Sequence, residues 1–240
     1  MELTNKVVII TGSSSGIGKA SAIAFSKEGA FVVITYKNNK AGADETLTEV
    51  SKYSKGIVLE LDLTNYASFK SLFEQALKIT GVIDVLINNA AITEDIEPYI
   101  KATTENIAEV INTDLIGTLV FTQHCIKIMQ EQGFGKIINI SSAKGEVGGS
   151  RTVAYGAAKA GLNNFTKTLA KILAPKIQVN AVAPGYVKTE RYDKFPKDVL
   201  DKMLSEMKTN TWTMPEDIAN KLVLMAKDDS VTGQIITIDN

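Results

Sequence analysis

Seven short apolar runs, at residues 7–10, 31–35, 56–61, 84–88, 136–140, 177–182 and 234–238, punctuate the chain of 240 residues. They are rich in β-branched residues and lack strict polar alternation, which suits strands buried on both faces. Longer stretches with helical spacing separate them: Ile17, Ala20, Ala24 and Phe25 share one face, as do Leu162, Phe165, Leu169 and Leu173. Strand–helix alternation of this kind predicts an α/β, doubly wound architecture, a mostly parallel sheet with helices on both faces. Parallel neighbours need crossover helices, and right-handed crossovers leave few topologies open. No internal repeat, low-complexity tract or linker divides the sequence, so residues 1–240 are expected to form a single domain.

Charge and residue inventory narrow the chemistry. Lys and Arg number 26 against 27 Asp and Glu, a net charge of -1, which argues against nucleic-acid or anionic-membrane partners. His124 and Cys125 are the sole members of their types, so no intrachain disulfide and no Cys/His zinc site is expected; a core or interface role fits them better. The opening MELTNKVVIITG has no leader pattern and no apolar run approaches bilayer length, so a cytoplasmic protein is expected. Catalysis would fall to Ser, Thr, Tyr, Lys, Asn and carboxylates, or to a bound cofactor.

The first run ends in Thr11-Gly12-Ser13-Ser14-Ser15-Gly16-Ile17-Gly18 and passes directly into a helical segment. Gly12 permits a tight turn, Gly16 lets the backbone approach a ligand, and Gly18 lets helix and strand pack closely. A helix N-terminus aimed at such a turn offers unpaired N–H groups and a positive dipole end to a pyrophosphate. A glycine-rich turn without a ligand is the competing reading, but the strand–turn–helix context favours a dinucleotide. The second run ends in Thr35-Tyr36-Lys37-Asn38-Asn39-Lys40, without Asp or Glu. A carboxylate there would bind ribose hydroxyls and repel a 2′-phosphate, whereas Lys37 would attract one. NADP(H) is therefore expected over NAD(H), with Ser13, Ser14 and Ser15 as hydroxyl donors.

A second constellation lies further on. Ser141 and Ser142 follow the fifth run, and Tyr155 and Lys159 stand in Tyr155-Gly156-Ala157-Ala158-Lys159. On a helix this i,i+4 spacing puts the phenol and the ammonium on one face. A phenol of pKa ~10 is a poor base near neutrality. A neighbouring ammonium favours its phenolate, so Lys159 is expected to lower the Tyr155 pKa. Tyr155 could then exchange a proton with an alcohol or carbonyl oxygen held by Ser142. The pair alone would fit an exposed helix face; combined with the glycine turn it points to redox chemistry at a carbonyl.

Together these motifs resemble the short-chain dehydrogenase/reductase family, over essentially the whole length. Asn88-Asn89-Ala90-Ala91 is similar to the family's Asn-Asn-Ala-Gly segment, with Ala91 where glycine is usual. Asn112, in Val110-Ile111-Asn112-Thr113-Asp114, resembles the helix asparagine that holds a water beside the active-site lysine. Pro184-Gly185-Tyr186-Val187-Lys188-Thr189 resembles the Pro-Gly loop beside the nicotinamide, and Asp62-Leu63 the adenine contact. The resemblance implies a Rossmann fold with strand order 3-2-1-4-5-6-7 and a catalytic tetrad of Asn112, Ser142, Tyr155 and Lys159. Tyr155 would be the general acid in reduction, Ser142 would polarise the substrate oxygen, and Lys159 would also bind the nicotinamide ribose. Further cofactor contacts implied are Asn89, Ala90, Ala91, Pro184, Gly185, Val187 and Thr189. Ser15 stands where many NADP-using relatives have Arg or Lys, which leaves Lys37 to carry the preference. A homotetramer is implied, paired through the helices that hold His124 and Tyr155.

Within the family, the length and the Pro215-Glu216-Asp217-Ile218-Ala219 segment look most like 3-oxoacyl-[acyl-carrier-protein] reductases. The implied substrate is a 3-oxoacyl thioester, and acyl carrier protein would need basic residues at the pocket mouth, with Lys136, Lys171 and Lys176 as candidates. The loop Gln130-Glu131-Gln132-Gly133-Phe134-Gly135 lacks the arginine that subgroup often carries, which argues against docking. The alternative substrate is a free ketone, sugar, polyol or quinone, walled by Tyr186, Tyr192, Phe195 and Trp212. A dinucleotide sensor is a third reading, disfavoured because it has no need of Tyr155 and Lys159. These aromatics belong to a proline-punctuated excursion, residues 186–214, expected to form a substrate lid with a helix-like charged stretch over 194–208.

Overall fold

In the computed structural model, which describes residues 1–92, 99–149 and 152–239, every apolar run is a strand. They are β1 (Val7–Ile10), β2 (Phe31–Tyr36), β3 (Gly56–Glu60), β4 (Val85–Asn88), β5 (Gly135–Ile140), β6 (Ile177–Pro184) and β7 (Ile235–Ile238). They pair in the order β3-β2-β1-β4-β5-β6-β7, and each ladder between neighbours is parallel. The sheet is thus wholly parallel rather than mostly so. Strand order reverses between β1 and β4, which opens a crevice at the carboxyl ends of the strands.

The helices are α1 (Gly16–Lys27), α2 (Lys40–Val50), α3 (Phe69–Thr80), α4 (Thr104–Ile111), α5 (Thr118–Gln132), α6 (Lys144–Val147), α7 (Val153–Leu173), α8 (Lys197–Glu206) and α9 (Pro215–Lys227). Alternate residues of β1 serve the two faces of the sheet. Val8 and Ile10 pack with Phe25 of α1, Val50 of α2 and Leu222 of α9, while Val7 and Ile9 pack with Phe73 of α3 and Phe121 of α5. On that second face Phe121 stacks on Phe73 with centroids 4.7 Å apart and meets Phe69 edge-on at 5.0 Å. Cys125 is fully buried in this core, and His124 stands edge-on to Phe69, which gives both single-copy residues packing roles. No helix among the described residues is long and apolar enough to cross a membrane.

A buried polar ladder fixes two helices against the strand ends that form the crevice. Asn88 on β4 donates to Asn139 on β5 and to Thr122 on α5, each at 2.8 Å, and Asn139 donates to Thr166 on α7 at 2.8 Å. Buried amides must find partners, so these bonds specify how α5 and α7 sit on the sheet. Between α4 and α5 the helix widens into a π turn, Asn112–Gly117. Gly117 is required there because a Cβ would meet the Leu63 carbonyl oxygen at 2.3 Å.

The excursion after β6 contains a 3-10 turn (Glu190–Lys194) and α8, which has no buried residue. The charged stretch predicted over 194–208 is therefore a helix, trimmed at both ends. Its aromatics contact one another: Tyr192 lies 5.2 Å from Trp212 and 5.3 Å from Phe195, and the Lys188 ammonium sits 5.3 Å over the Trp212 ring.

Candidate active site

The crevice is a cavity of about 880 Å³, running from the end of β2 past the glycine turn to Tyr155 and the lid. At the turn, Gly12 has φ +64° and Gly16 φ +53°, a left-handed backbone that side chains rarely adopt. Local bonds set its shape. The Thr11 hydroxyl oxygen accepts from the Asn89 and Ala90 amides at 2.8 and 2.9 Å, and the Thr35 hydroxyl oxygen accepts from Gly12 at 3.1 Å. Gly18 is where α1 crosses the turn, since a Cβ there would lie 2.3 Å from the Gly12 carbonyl oxygen. Ser15 begins α1 without a side-chain cap, which leaves helix N–H groups facing the cavity wall formed by Ser14, Ser15, Gly16 and Ile17. This glycine-lined cradle fits a pyrophosphate, and the residues present suit a dinucleotide.

Lys37 and Leu63 line the cavity at the far end of the turn. Lys37 Nζ lies 3.1 Å from Asp62 Oδ2, so the proposed phosphate ligand already holds an ion pair. Burial opposes ionisation of Asp62, but the Thr64 amide and hydroxyl and the Lys37 ammonium hold its carboxyl below the usual range. Asn38 and Asn39, at the N-terminus of α2, line the same end and were not singled out from the sequence. Their place at a helix N-terminus after the second strand was the available signal.

At the other end Ser142, Tyr155 and Lys159 converge on the cavity with Asn89, Ala90, Ala91, Pro184, Gly185, Val187 and Thr189. Tyr155 and Ser142 share a hydrogen bond, and the Lys159 ammonium lies 5.4 Å from the Tyr155 ring centroid. Lys159 is buried and donates to the Ile140 carbonyl at 2.9 Å. Burial pushes its pKa down while the charge of Asp114 pulls it back up. For Tyr155, desolvation pushes the phenol up to about 12; the Ser142 hydrogen bond and Arg191 oppose this, and Asp114 adds to it. The expected lowering by Lys159 is therefore reversed in the free protein. Half-buried in a cleft, the phenolate loses more hydration than nearby cations return.

A family model described as Enoyl-(Acyl carrier protein) reductase matches residues 12–240. The 3-oxoacyl-[acyl-carrier-protein] reductase FabG of Thermotoga maritima is 38% identical over 249 residues, covering 100% of this chain and 98% of that protein. The chain belongs to the short-chain dehydrogenase/reductase family. It is accordingly an oxidoreductase. An acetoacetyl-CoA reductase of Rhizobium meliloti is 36% identical over 237 residues, covering 97% of this chain and 96% of the relative. The crystal structure of levodione reductase superposes with TM-score 0.92 at 24% identity, covering 99% of this chain and 97% of that one, and so shares the fold.

Within this short-chain dehydrogenase/reductase some sequence expectations fall elsewhere. Asn112 is exposed and does not line the cavity; the residue that acts on Lys159 is Asp114, two positions on and fully buried. Helical spacing carried the signal: Val110, Thr113, Asp114, Gly117, Thr118 and Phe121 form the buried stripe, and Asn112 is off it. Ser13 is no hydroxyl donor for a ligand, because its hydroxyl donates to Ile10 and accepts from the Thr35 amide inside the turn. Gly18 and Asp62 stand behind the lining, the first as a packing residue and the second as the partner of Lys37. Lys136 is buried, 2.6 Å from Asp229, and Lys171 and Lys176 lie by the amino end of β6, opposite the cavity. None of the three is at the pocket mouth. Lys144 and Arg191 line the cavity there instead, as do Tyr186 and Tyr192 from the lid. Asn240, the last residue of the family-like ending, lies outside the described residues.

Proposed function

We propose that this enzyme uses NADP(H) to reduce the 3-oxo group of an acyl thioester to a 3-hydroxyl. The carrying observation is the convergence on the cavity of Tyr155 and Ser142 with a buried ammonium, Lys159, 5.4 Å from the phenol ring centroid. In such an array the phenol can donate its proton to a carbonyl oxygen as hydride arrives at the carbon. When bound, the nicotinamide would supply the hydride that adds to the carbonyl carbon. Ser142 would hold the substrate oxygen, Tyr155 would deliver its phenolic proton to that oxygen, and Lys159 would stabilise the phenolate left behind. Gly12, Ser14, Ser15, Gly16 and Ile17 would take the pyrophosphate, with Leu63 and Asp62 toward the adenine. Asn89, Ala90, Ala91, Pro184, Gly185, Val187 and Thr189 would frame the nicotinamide end.

The NADP(H) preference rests on Lys37, supported by the place of Asn38 and Asn39 on the cavity wall at the start of α2 and by the lack of a carboxylate closing β2. Asp62 tempers it, since a 2′-phosphate must share the ammonium with that carboxylate. The thioester reading draws on two relatives, one named for 3-oxoacyl-[acyl-carrier-protein] reduction and one for acetoacetyl-CoA reduction. Both point to a carbonyl placed β to a thioester; a coenzyme A thioester asks for no protein docking, whereas a carrier protein would have to meet Lys144 and Arg191 at the mouth. A free ketone is the second reading, favoured by Tyr186 and Tyr192 on the cavity wall; Trp212 packs behind them, and neither it nor Phe195 lines the cavity. A cytoplasmic homotetramer completes the proposal; light scattering at micromolar concentration would show four copies, and a monomer would refute that assembly. The test of substrate class is consumption of NADPH and NADH with a short 3-oxoacyl thioester beside a panel of free ketones. Thioester turnover faster with NADPH supports the reading, and turnover confined to free ketones overturns it.

A further inference from the structure

Asp114 is a fully buried ionisable group beside the site for which the scheme above has no task. Its Oδ1 accepts the Ile92 amide at 2.7 Å, tying the π turn to the segment that follows Asn89-Ala90-Ala91 along the cavity wall. Its Oδ2 is buried with no hydrogen-bond partner among the described residues. A neutral asparagine could make the Ile92 bond equally well, so the tie does not explain a charge in this place. Unpaired buried carboxylate oxygens are costly and are retained where the charge is used. Lys159, also buried, is the charged group that acts on Asp114 from α7 among the described residues, and Asp114 acts in turn on Tyr155. Among the described residues, the other elements packed around it bring no competing charge. Asn112, Thr113, Leu115 and Ile116 of the π turn are uncharged, Glu105 and Glu109 of α4 are exposed, and His124 of α5 faces Phe69. From the lid, Arg191 acts on Tyr155.

We propose that Asp114 is a positioning residue of this active site: fixed by the Ile92 amide, its carboxylate is the counter-charge that keeps Lys159 an ammonium and Tyr155 a phenol. The proposal rests on the roles given above to Tyr155 and Lys159. It replaces a neutral amide beside the lysine, expected at Asn112, with an ionisable group at position 114. The carboxylate raises the proton affinity of both neighbours, so it supports the proton-loaded state that reduction needs. Burial pushes the Asp114 carboxyl up to about 6, with Lys159 and the Ile92 amide opposing, so the counter-charge itself is lost under mildly acid conditions.

Two measurements test this. In cofactor-free protein with 13C-labelled aspartate, the Asp114 carboxyl is titrated by NMR, its signal assigned by its loss in Asp114→Asn. Replacing the lysine, Lys159→Met, is expected to move the Asp114 midpoint to higher pH; an unchanged midpoint overturns the counter-charge. In the reductive assay, Asp114→Asn is expected to move the alkaline limb of the kcat/KM profile to lower pH, because Tyr155 and Lys159 then both lose protons more readily. A lower plateau with an unmoved limb would assign Asp114 a merely structural role and overturn the proposal. The titration needs neither cofactor nor substrate, so it decides this inference even if the reductase reading fails.

Discussion

The floor and the lid of the cleft are built on different physics. On the floor, the glycine turn, Tyr155 and Lys159 sit at strand ends, and backbone and buried side-chain hydrogen bonds between about 2.8 and 3.1 Å set each position. In the lid, Tyr186, Tyr192, Phe195 and Trp212 touch through ring faces and edges at 5.2 to 6.5 Å, and α8 buries nothing. Directional bonds among buried groups fix geometry; apolar ring contacts at a surface allow repacking. We propose on this ground that reaction geometry belongs to the floor and substrate choice to the lid. Changes to the floor should alter binding, proton affinity or rate sharply, and changes to the lid should alter substrate preference.

The largest effect is expected for Gly18→Val, which forces a side chain against the Gly12 carbonyl and the Asn89 amide. Dinucleotide binding, followed by cofactor fluorescence, should be lost, with a stability loss of about 1–3 kcal/mol by thermal melt. Retained binding would show that the turn yields as readily as the lid. Asp114→Asn should act in the opposite direction on stability. The Asp114 carboxyl titrates near 6 in the fold against an ordinary value of 3.8. The folded state thus holds a proton that the unfolded state releases, and stability falls as pH rises from about 4 through about 6. The substitution removes that penalty, so the variant should gain about 2–3 kcal/mol at pH 7 and little at pH 4. Melting curves at the two pH values check the sign.

Smaller changes probe the edges of the comparison. Lys37→Ala should raise the KM for NADPH about tenfold and leave that for NADH nearly unchanged, as expected for one charge-assisted bond to a phosphate. Equal effects on both cofactors would separate Lys37 from the 2′-phosphate. Trp212→Ala should shift the ranking of substrates by about two- to fivefold, with cofactor KM and melting temperature little altered, because a partly exposed ring contributes modestly. A collapse of activity there would make the lid part of the reaction geometry and erase the distinction drawn above.

The floor was legible from sequence where its function is local. Gly12, Gly16 and Gly18 act through spacing along a few residues, and Tyr155 and Lys159 through one helical turn, so the pattern itself carries the geometry. The strands were legible because flat apolar runs leave few alternatives, and each lies within two residues of its predicted bounds. What escaped depends on which way an element faces. Asn112 matched the family's motif by residue type, yet the buried stripe through Val110 and Phe121 passes through Asp114. Lys136 opens its apolar run, and the rule that ligands meet the carboxyl ends of parallel strands already placed it away from the cleft, so that error was avoidable. The raised pKa of Tyr155 reflects its burial, a sum over the whole fold that no local spacing encodes.

One comparison tests the division of labour on the floor most directly: NADPH binding and thioester reduction measured side by side in the wild type and in Tyr155→Phe. The account predicts that both bind the cofactor with similar affinity while turnover falls by about 10²–10⁴-fold in the variant, the loss expected for a missing proton donor. Turnover retained in Tyr155→Phe would contradict the assignment of the proton to that phenol, and failure of the wild type to bind either nicotinamide dinucleotide would contradict the reading of the glycine turn.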